Sequence, residues 1–396
     1  MWGIQMNITL SNKMHAFQPS IFSELSQYKK QKISEGAPII DLSIGSPDLA
    51  PPSFVTKILA EEVLKGDQYG YSLTGTSEFN HAVSAFYKRN YQVNLTDQEV
   101  LLLMGSQDGL VHFPMVFANP GDIILVPDPG YTAYATGIAM AGAKPYFMPL
   151  KKENQFLPDL SLIPTEVAEQ AKIMIINFPG NPVPALASKE YFTEIVSFAK
   201  KHHILVLHDF AYSELYYEGN KPVSFLSIDG AKDVGVEMSS FSKNYNMAGS
   251  RIGYLAGNQQ IVQAMNQLKS NLDYGVFLPV QKAAIRALEE GAEFCESSRK
   301  VYQERRDLLV SGLKEIGWEM TKPDAGMFIW AEIPPGFTSL EFTYALIDRA
   351  NVVVTPGHAF GLNGEGYVRI ALVTDTDQLM KVISSIKAAN IFKALF

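Results

Sequence analysis

Short, nearly uniform apolar runs alternate with helix-period segments through the middle of the chain, and this alternation restricts the fold more than any other feature. Val100 to Met104, Ile123 to Val126, Ile173 to Asn177, Ile204 to Asp209, Val234 to Ser239 and Ile252 to Ala256 are each strand-sized. Strands without a polar face must be covered on both sides. Between two of them, Phe192, Ile195, Val196 and Ala199 recur at i, i+3, i+4 and i+7, with Ser188 placed as an N-cap. The pattern predicts an α/β fold built on a mostly parallel sheet with helices on both faces.

The last hundred residues are patterned differently. A long, charged helix is expected from Ala292 to Ile316, then a strand at Met327 to Ala331. A helix opens at Thr338 with Glu341 at capping-box spacing. Strands are expected at Val352 to Thr355 and Tyr367 to Leu372, which makes this a smaller α+β unit. With 396 residues, two domains are the natural division. The boundaries read from the pattern are 52–291 for the large domain and 292–396 for the small one. Residues 1–51 form an N-terminal segment packing with the small domain.

Composition narrows the function classes. Net charge is −8, the wrong sign for a nucleic-acid surface. Met1 to Leu10 lacks a basic region followed by a long apolar run, so no secretory signal is expected. No stretch reaches the roughly 18 to 20 apolar residues of a membrane span. The one cysteine, Cys295, can form neither an internal disulfide nor a cysteine metal site. A cytoplasmic protein without a resident metal is the expectation.

Open parallel sheets bind ligands at the carboxyl ends of their strands. Here those ends read Gly105-Ser106-Gln107, Asp128-Pro-Gly-Tyr131, Phe178-Pro-Gly-Asn181, His208-Asp209-Phe-Ala-Tyr212 and Ser240-Phe-Ser242-Lys243. A desolvated Lys243 is a usable nucleophile, because burial lowers an amine's pKa. Asp209 facing a cleft could hold a proton on a pyridine-type nitrogen. Arg251 lies between Gly249 and Gly253, where the backbone can approach a phosphate closely. Ser240 and Ser242 add hydroxyl donors, and Ser106 and Gln107 sit where a helix N-terminus would bind an anion. Arg369 alternates with Val368 and Ile370 along its strand, so it faces away from them and suits a carboxylate. Each residue taken singly has a plainer explanation: a surface lysine, a capping aspartate, an exposed strand arginine. His202, His203 and His208 cluster near Asp209, but two of them end a helix, and a structural role is preferred to a metal.

Taken together, these segments resemble the class I/II aminotransferases, fold-type I pyridoxal-phosphate enzymes, over nearly the whole chain from Asp41-Leu-Ser-Ile-Gly45 to Arg369. The strongest likeness is Ser240-Phe-Ser-Lys243-Asn-Tyr-Asn-Met-Ala-Gly-Ser-Arg251-Ile-Gly-Tyr, which is similar to the family's cofactor-lysine signature. The resemblance implies the type I transferase fold, with a seven-stranded sheet in the large domain. It implies pyridoxal 5'-phosphate on Lys243 as a Schiff base and ping-pong transfer of an amino group from an L-amino acid to a 2-oxo acid. It further implies that Asp209 protonates the pyridine nitrogen, that Asn181 and Tyr212 bond O3′, and that Tyr131 stacks on the ring. Ser106, Gln107, Ser240, Ser242 and Arg251 would hold the phosphate. Arg369 and the Gly45 backbone, with Asn181 beside them, would hold the substrate carboxylate.

The family's dimers lend a tyrosine to the partner's phosphate, which implies a homodimer with shared sites. Gln68-Tyr69-Gly-Tyr71-Ser-Leu-Thr-Gly75 offers two tyrosines; the spacing leaves both open, and Tyr71 is favoured.

Two departures stand out. Most relatives read Asn-Pro-Thr-Gly where this chain has Asn181-Pro-Val-Pro184, and Pro184 must alter the turn. The interface-loop stretch Lys269 to Phe277 lacks the arginine that the best-known aspartate aminotransferases supply to the partner. It resembles instead the loop of diaminopimelate aminotransferases and their broad-specificity relatives. Pocket walls are expected from Phe17 to Ile21, Ile44 and Asp273 to Phe277. A carbon–sulfur β-lyase or an aminocyclopropane-carboxylate synthase would use the same cofactor residues. A non-enzymatic effector-binding domain is a third reading, but no helix-turn-helix fits before Gly45.

Overall fold

The structure, a computed structural model, describes residues 8–17 and 21–392. Most of the Met1 to Leu10 stretch read for a targeting signal lies outside the described residues, as do residues 18–20 of the 17–21 wall. Among the described residues the strands are β1 Ile40–Asp41, β2 Val100–Leu103, β3 Ile123–Asp128, β4 Lys144–Pro149, β5 Ala171–Asn177 and β6 Leu205–Asp209. They continue as β7 Gly235–Ser240, β8 Gly253–Gly257, β9 Phe328–Glu332, β10 Val352–Val353, β11 Thr355–Pro356 and β12 Tyr367–Ala371.

Seven strands form one sheet in the order β2-β8-β7-β6-β5-β3-β4. Only β8 runs against its neighbours; the other pairings are parallel. Successive residues of β5 enter opposite cores, Ile173 and Ile175 on one side, Met174 and Ile176 on the other. This two-sided burial is why the strands carry no polar face. The helix Lys189–His202 covers one side through Phe192, Ile195, Val196 and Ala199, all buried, and the Ser188 hydroxyl accepts from the Tyr191 N–H at its start.

The six strands expected from apolar runs are all present. β4 was not expected. It pairs only with β3, so it is an edge strand, where its two prolines and exposed residues are tolerated.

The C-terminal part is a three-stranded antiparallel sheet, β11-β12-β9, packed with the helices Ala292–Glu315, Ser339–Ala350 and Thr376–Ala388. The single strand expected at Val352 to Thr355 is two. β10 pairs in parallel with β1, and after Val354 the chain switches to antiparallel pairing with β12. The N-terminal segment therefore joins this part through β1. Its helix Ile21–Ser34 packs Leu25 against Ile347 and Val353, and Tyr28 donates to Asp348 at 2.7 Å. Among the described residues no helix is long and apolar enough to cross a membrane.

Thr338 and Glu341 form the expected capping box: the Glu341 carboxylate accepts from the Thr338 N–H at 2.8 Å, and the Thr338 hydroxyl accepts from the Glu341 N–H at 3.2 Å. Thr338→Ala should cost about 1 kcal/mol, read as a lower urea midpoint with an unchanged far-UV spectrum. An unchanged midpoint would mean the cap adds nothing.

Candidate active site

The carboxyl ends of β2, β3, β5, β6 and β7 lie along one edge of the sheet. Because β8 is antiparallel, its beginning lies there too, and Arg251 with it. A cavity of about 500 Å³ opens at this edge, closed from the other side by Arg369 of β12 and by residues 43–46. Ser106, Gln107, Tyr131, Asn181, Asp209, Tyr212, Ser240, Ser242, Lys243, Arg251, Gly45 and Arg369 all line it. Of the residues to which the resemblance gives a cofactor or substrate role, Tyr71 does not line it. It is 84% exposed and its ring lies tilted against that of Tyr274, 4.8 Å between centres.

One end of the cavity is built for an anion. Ser106 and Gln107 open the helix Ser106–Phe117, whose first N–H groups lack intrahelical partners. Gly105, at φ +83, precedes it, and a Cβ there would come within 2.6 Å of the Arg251 guanidinium. Glycine thus lets the cation lie against the helix start. Arg251 donates to the Ala248 carbonyl at 2.9 Å. The Ser240 hydroxyl accepts from the Ser242 N–H at 3.1 Å, starting the short turn Phe241–Asn244 that carries Lys243.

Asp209 ends β6 and is buried. It accepts from the Tyr134 hydroxyl at 2.8 Å and from the Ala211 N–H at 3.3 Å. Burial pushes its carboxyl above the usual range, against those two hydrogen bonds. Tyr134 was not singled out in the sequence; its place one helical turn after Tyr131 was the available signal. Tyr131 donates to Gln107 at 3.1 Å, and Tyr212 lies edge-on to Phe328.

Lys243 donates to the Gly45 carbonyl. Burial, then the positive charges of Arg369 and Arg251, bring its ammonium down to about 8, with Asp209 opposing. Arg369 is buried, and desolvation lowers it to about 10. It donates to Asn181 Oδ1 at 2.7 Å and to the Ser43 carbonyl at 2.6 Å. Its guanidinium lies over the rings of Phe328 and Phe360 at 4.3 and 4.8 Å. Its Nε is buried without a hydrogen-bond partner, and no described carboxylate pairs with it. The cavity therefore faces three cationic side chains against one carboxylate, an arrangement complementary to an anionic ligand at each end.

Of the expected walls, Ile44 lines the cavity. Residues 273–277 do not line it in the single chain. Phe22 and Phe360 do, and neither was expected, because both reach it through distant parts of the chain. His208 is buried away from the cavity, with Nδ1 at 2.9 Å from Glu237 and Nε2 at 3.2 Å from the Phe178 carbonyl. Among the described residues no group of three or more His, Cys, Asp and Glu is placed to hold a metal ion. Cys295 is buried against the Asn244 carbonyl, and burial pushes its thiol up.

Known proteins resemble this chain over nearly its whole length. The family described as aminotransferase class I and II matches residues 37–386. An LL-diaminopimelate aminotransferase of Aquifex aeolicus is 42% identical over 379 residues, 95% of this chain and 98% of that one. One of Dehalococcoides mccartyi is 43% identical over 383 residues, 96% and 98%. The substrate-bound structure of BacF from Bacillus subtilis superposes with a TM-score of 0.94 at 40% identity, covering 98% of this chain and 99% of that one. The chain belongs to the class I and II aminotransferase family and is an aminotransferase enzyme.

The lowered amine of Lys243 gives a pH test. Only the neutral amine attacks an aldehyde, so its reactivity rises as pH passes the pKa. Reductive trapping with a small aldehyde, followed by mass spectrometry of the Lys243 peptide, should show a midpoint near about 8 rather than the ordinary 10.5. Arg369→Ala should move that midpoint upward, because a neighbouring positive charge is removed. A midpoint near that of exposed lysines would refute the desolvated amine.

Proposed function

We propose that this cavity binds pyridoxal 5'-phosphate and moves an amino group between an L-amino acid and a 2-oxo acid. The observation that carries the reading is the meeting of a desolvated Lys243, a buried Asp209 and two separate arginines in one cavity. The residues present fit the cofactor. The Arg251, Ser106, Gln107, Ser240 and Ser242 end suits a phosphate, and the missing Cβ of Gly105 leaves room for the guanidinium beside it. The unpartnered Nε of Arg369 suits a carboxylate at the other end.

When bound, pyridoxal phosphate supplies an electron-withdrawing ring that stabilises negative charge at the substrate Cα. Asp209 would hold a proton on the ring nitrogen, and the Tyr134 hydroxyl keeps its carboxylate oriented. Asn181, Tyr212 and Tyr131 would hold the ring from the cavity wall. Arg369 takes the substrate α-carboxylate, with the Gly45 backbone beside it, and so fixes which Cα bond faces Lys243. Lys243 would anchor the cofactor, and its Nζ would take the proton from the substrate Cα. A lysine near about 8 is neutral often enough at physiological pH to act as that base.

On this reading the chain works in the cytoplasm as a homodimer with shared sites. Residues 52–291 form the cofactor-binding domain, and 1–51 pack with the small domain, 292–396. Tyr69 donates its hydroxyl to the Val63 carbonyl at 2.8 Å, whereas Tyr71 is the more exposed of the two, which supports Tyr71 as the residue lent to the partner. Exposed Tyr274 and Leu272 lie in the same region and give a dimer apolar surface to cover.

The test is the visible spectrum of the protein supplied with pyridoxal phosphate. An amino acid should convert the cofactor band to that of the amine form, and a 2-oxo acid should restore it. A band that persists while ammonia accumulates would contradict transamination. Lys243→Ala should lose the covalent band. Arg369→Lys should raise KM for the amino acid by roughly ten-fold or more, through loss of the two-pronged donor; unchanged kinetics would move the carboxylate site elsewhere.

A further inference from the structure

Successive side chains of β6 point to opposite faces of the large sheet. Asp209 faces the cavity, and His208, the residue before it, faces the other side and is fully buried. Its ring lies among those of Phe192, Phe210 and Phe225, with centres 5.2, 4.8 and 6.4 Å away. Glu237 stands directly opposite on β7 and is also fully buried. Its Oε2 accepts from the Phe225 N–H at 2.8 Å and lies 2.9 Å from His208 Nδ1. Its Oε1 accepts from the hydroxyls of Tyr87 at 2.8 Å and Ser224 at 2.9 Å. His208 Nε2 lies 3.2 Å from the Phe178 carbonyl.

Both ring nitrogens of His208 therefore face oxygen. A backbone carbonyl can only accept, so Nε2 carries a hydrogen. Glu237 Oε2 already takes the Phe225 N–H and accepts from Nδ1 in the same way, so Nδ1 carries one too. A buried pair of this kind adds little stability over apolar residues of the same volume. What it fixes is geometry. Phe178 opens the turn Phe178-Pro179-Gly180-Asn181 at the end of β5. Asn177, just before that turn, donates to the Asp209 carbonyl at 2.7 Å and accepts from the Asn181 N–H at 2.9 Å. The turn is thus held to β6 at two points, one through Asn177 and one through His208. Asn181 in its turn accepts from the Arg369 guanidinium. Burial raises the Asp209 carboxyl, and positive charge on His208 is among the influences that oppose it.

We propose that His208 is a positioning residue for the reaction: the Glu237 carboxylate holds its ring doubly protonated, and the ring, through the Phe178 carbonyl, sets the turn that carries Asn181 to Arg369. This rests on the aminotransferase reading of the cavity given above. Neither His208 nor Glu237 lines the cavity, so both act through the residues they hold.

The test uses the full-length protein supplied with pyridoxal phosphate and grown on isotope-labelled histidine. At about pH 8, where an exposed histidine is mostly a neutral ring with one N–H, His208 should still show two ring N–H signals in the nitrogen–proton correlation spectrum. Glu237→Gln leaves a carbonyl for Phe225 and His208 and an amide for Tyr87 and Ser224 but removes the charge, and His208 should then show one. Alanine, glutamate, phenylalanine and LL-diaminopimelate are each mixed with the protein, and the one that converts the cofactor band fastest is carried through the variants. Its KM should rise by about ten-fold in Glu237→Gln and in His208→Asn, with the cofactor band retained. His208→Gln, which keeps a donor toward Phe178, should recover part of the loss. A merely structural role would lower the fraction of active protein, and with it kcat, at unchanged KM. One ring N–H in the unaltered protein, or an unchanged KM in Glu237→Gln, would overturn the positioning role while leaving transamination intact. Conversion by none of the amino acids would instead overturn the aminotransferase reading on which it rests.

Discussion

A guanidinium buried without a carboxylate beside it is the constraint on which the active site turns. Arg369 keeps two of its nitrogens engaged with neutral oxygens, from Asn181 and Ser43, and leaves Nε with none. Two aromatic rings flank it, each contributing about 0.5 to 2 kcal/mol of cation–π attraction. Such contacts hold the cation in place but do not neutralise it. An anionic ligand group would, which suits this residue to a carboxylate. The same positive charge acts on Lys243, lowering its ammonium, so the proposed substrate clamp and the proposed base are electrostatically coupled.

The fold assembles these groups from segments far apart in sequence. Parallel strands deliver Asp209 from β6 and the Ser240-to-Lys243 turn from β7 to the same edge. The reversed strand β8 brings Arg251 to that edge by its beginning rather than its end. Arg369 comes from the other sheet, on β12, and reaches Asn181 beyond the end of β5. The ligand cavity is therefore a junction between two sheets, and its charge pattern depends on their packing.

Much of this was legible in the sequence because it was local. Apolar runs mark the central strands: Asp209 closes one, Lys243 lies in the turn after another, and Arg251 stands between glycines at the start of a third. Ser188 and Thr338 announced their helices through capping chemistry. What was not legible depended on distant contacts. β4 has mixed polarity because it sits at the sheet edge, so its burial pattern resembles a loop. Val352 to Thr355 looks like one apolar strand, but its two ends pair with different partners. Phe22 carries no motif; only its meeting with Phe360, across the fold, puts it in the cavity wall. Tyr134 was hidden for the same reason, since its bond to Asp209 joins a helix to a strand 75 residues away.

The central claim is that Lys243 is the covalent anchor of the cofactor, and one measurement addresses it directly. The protein loaded with pyridoxal phosphate is reduced with borohydride, digested, and its peptides are weighed. A single cofactor-sized increment on the peptide containing Lys243, absent from Lys243→Ala, is the predicted result. An increment on a different lysine, or none on any peptide, would contradict the account.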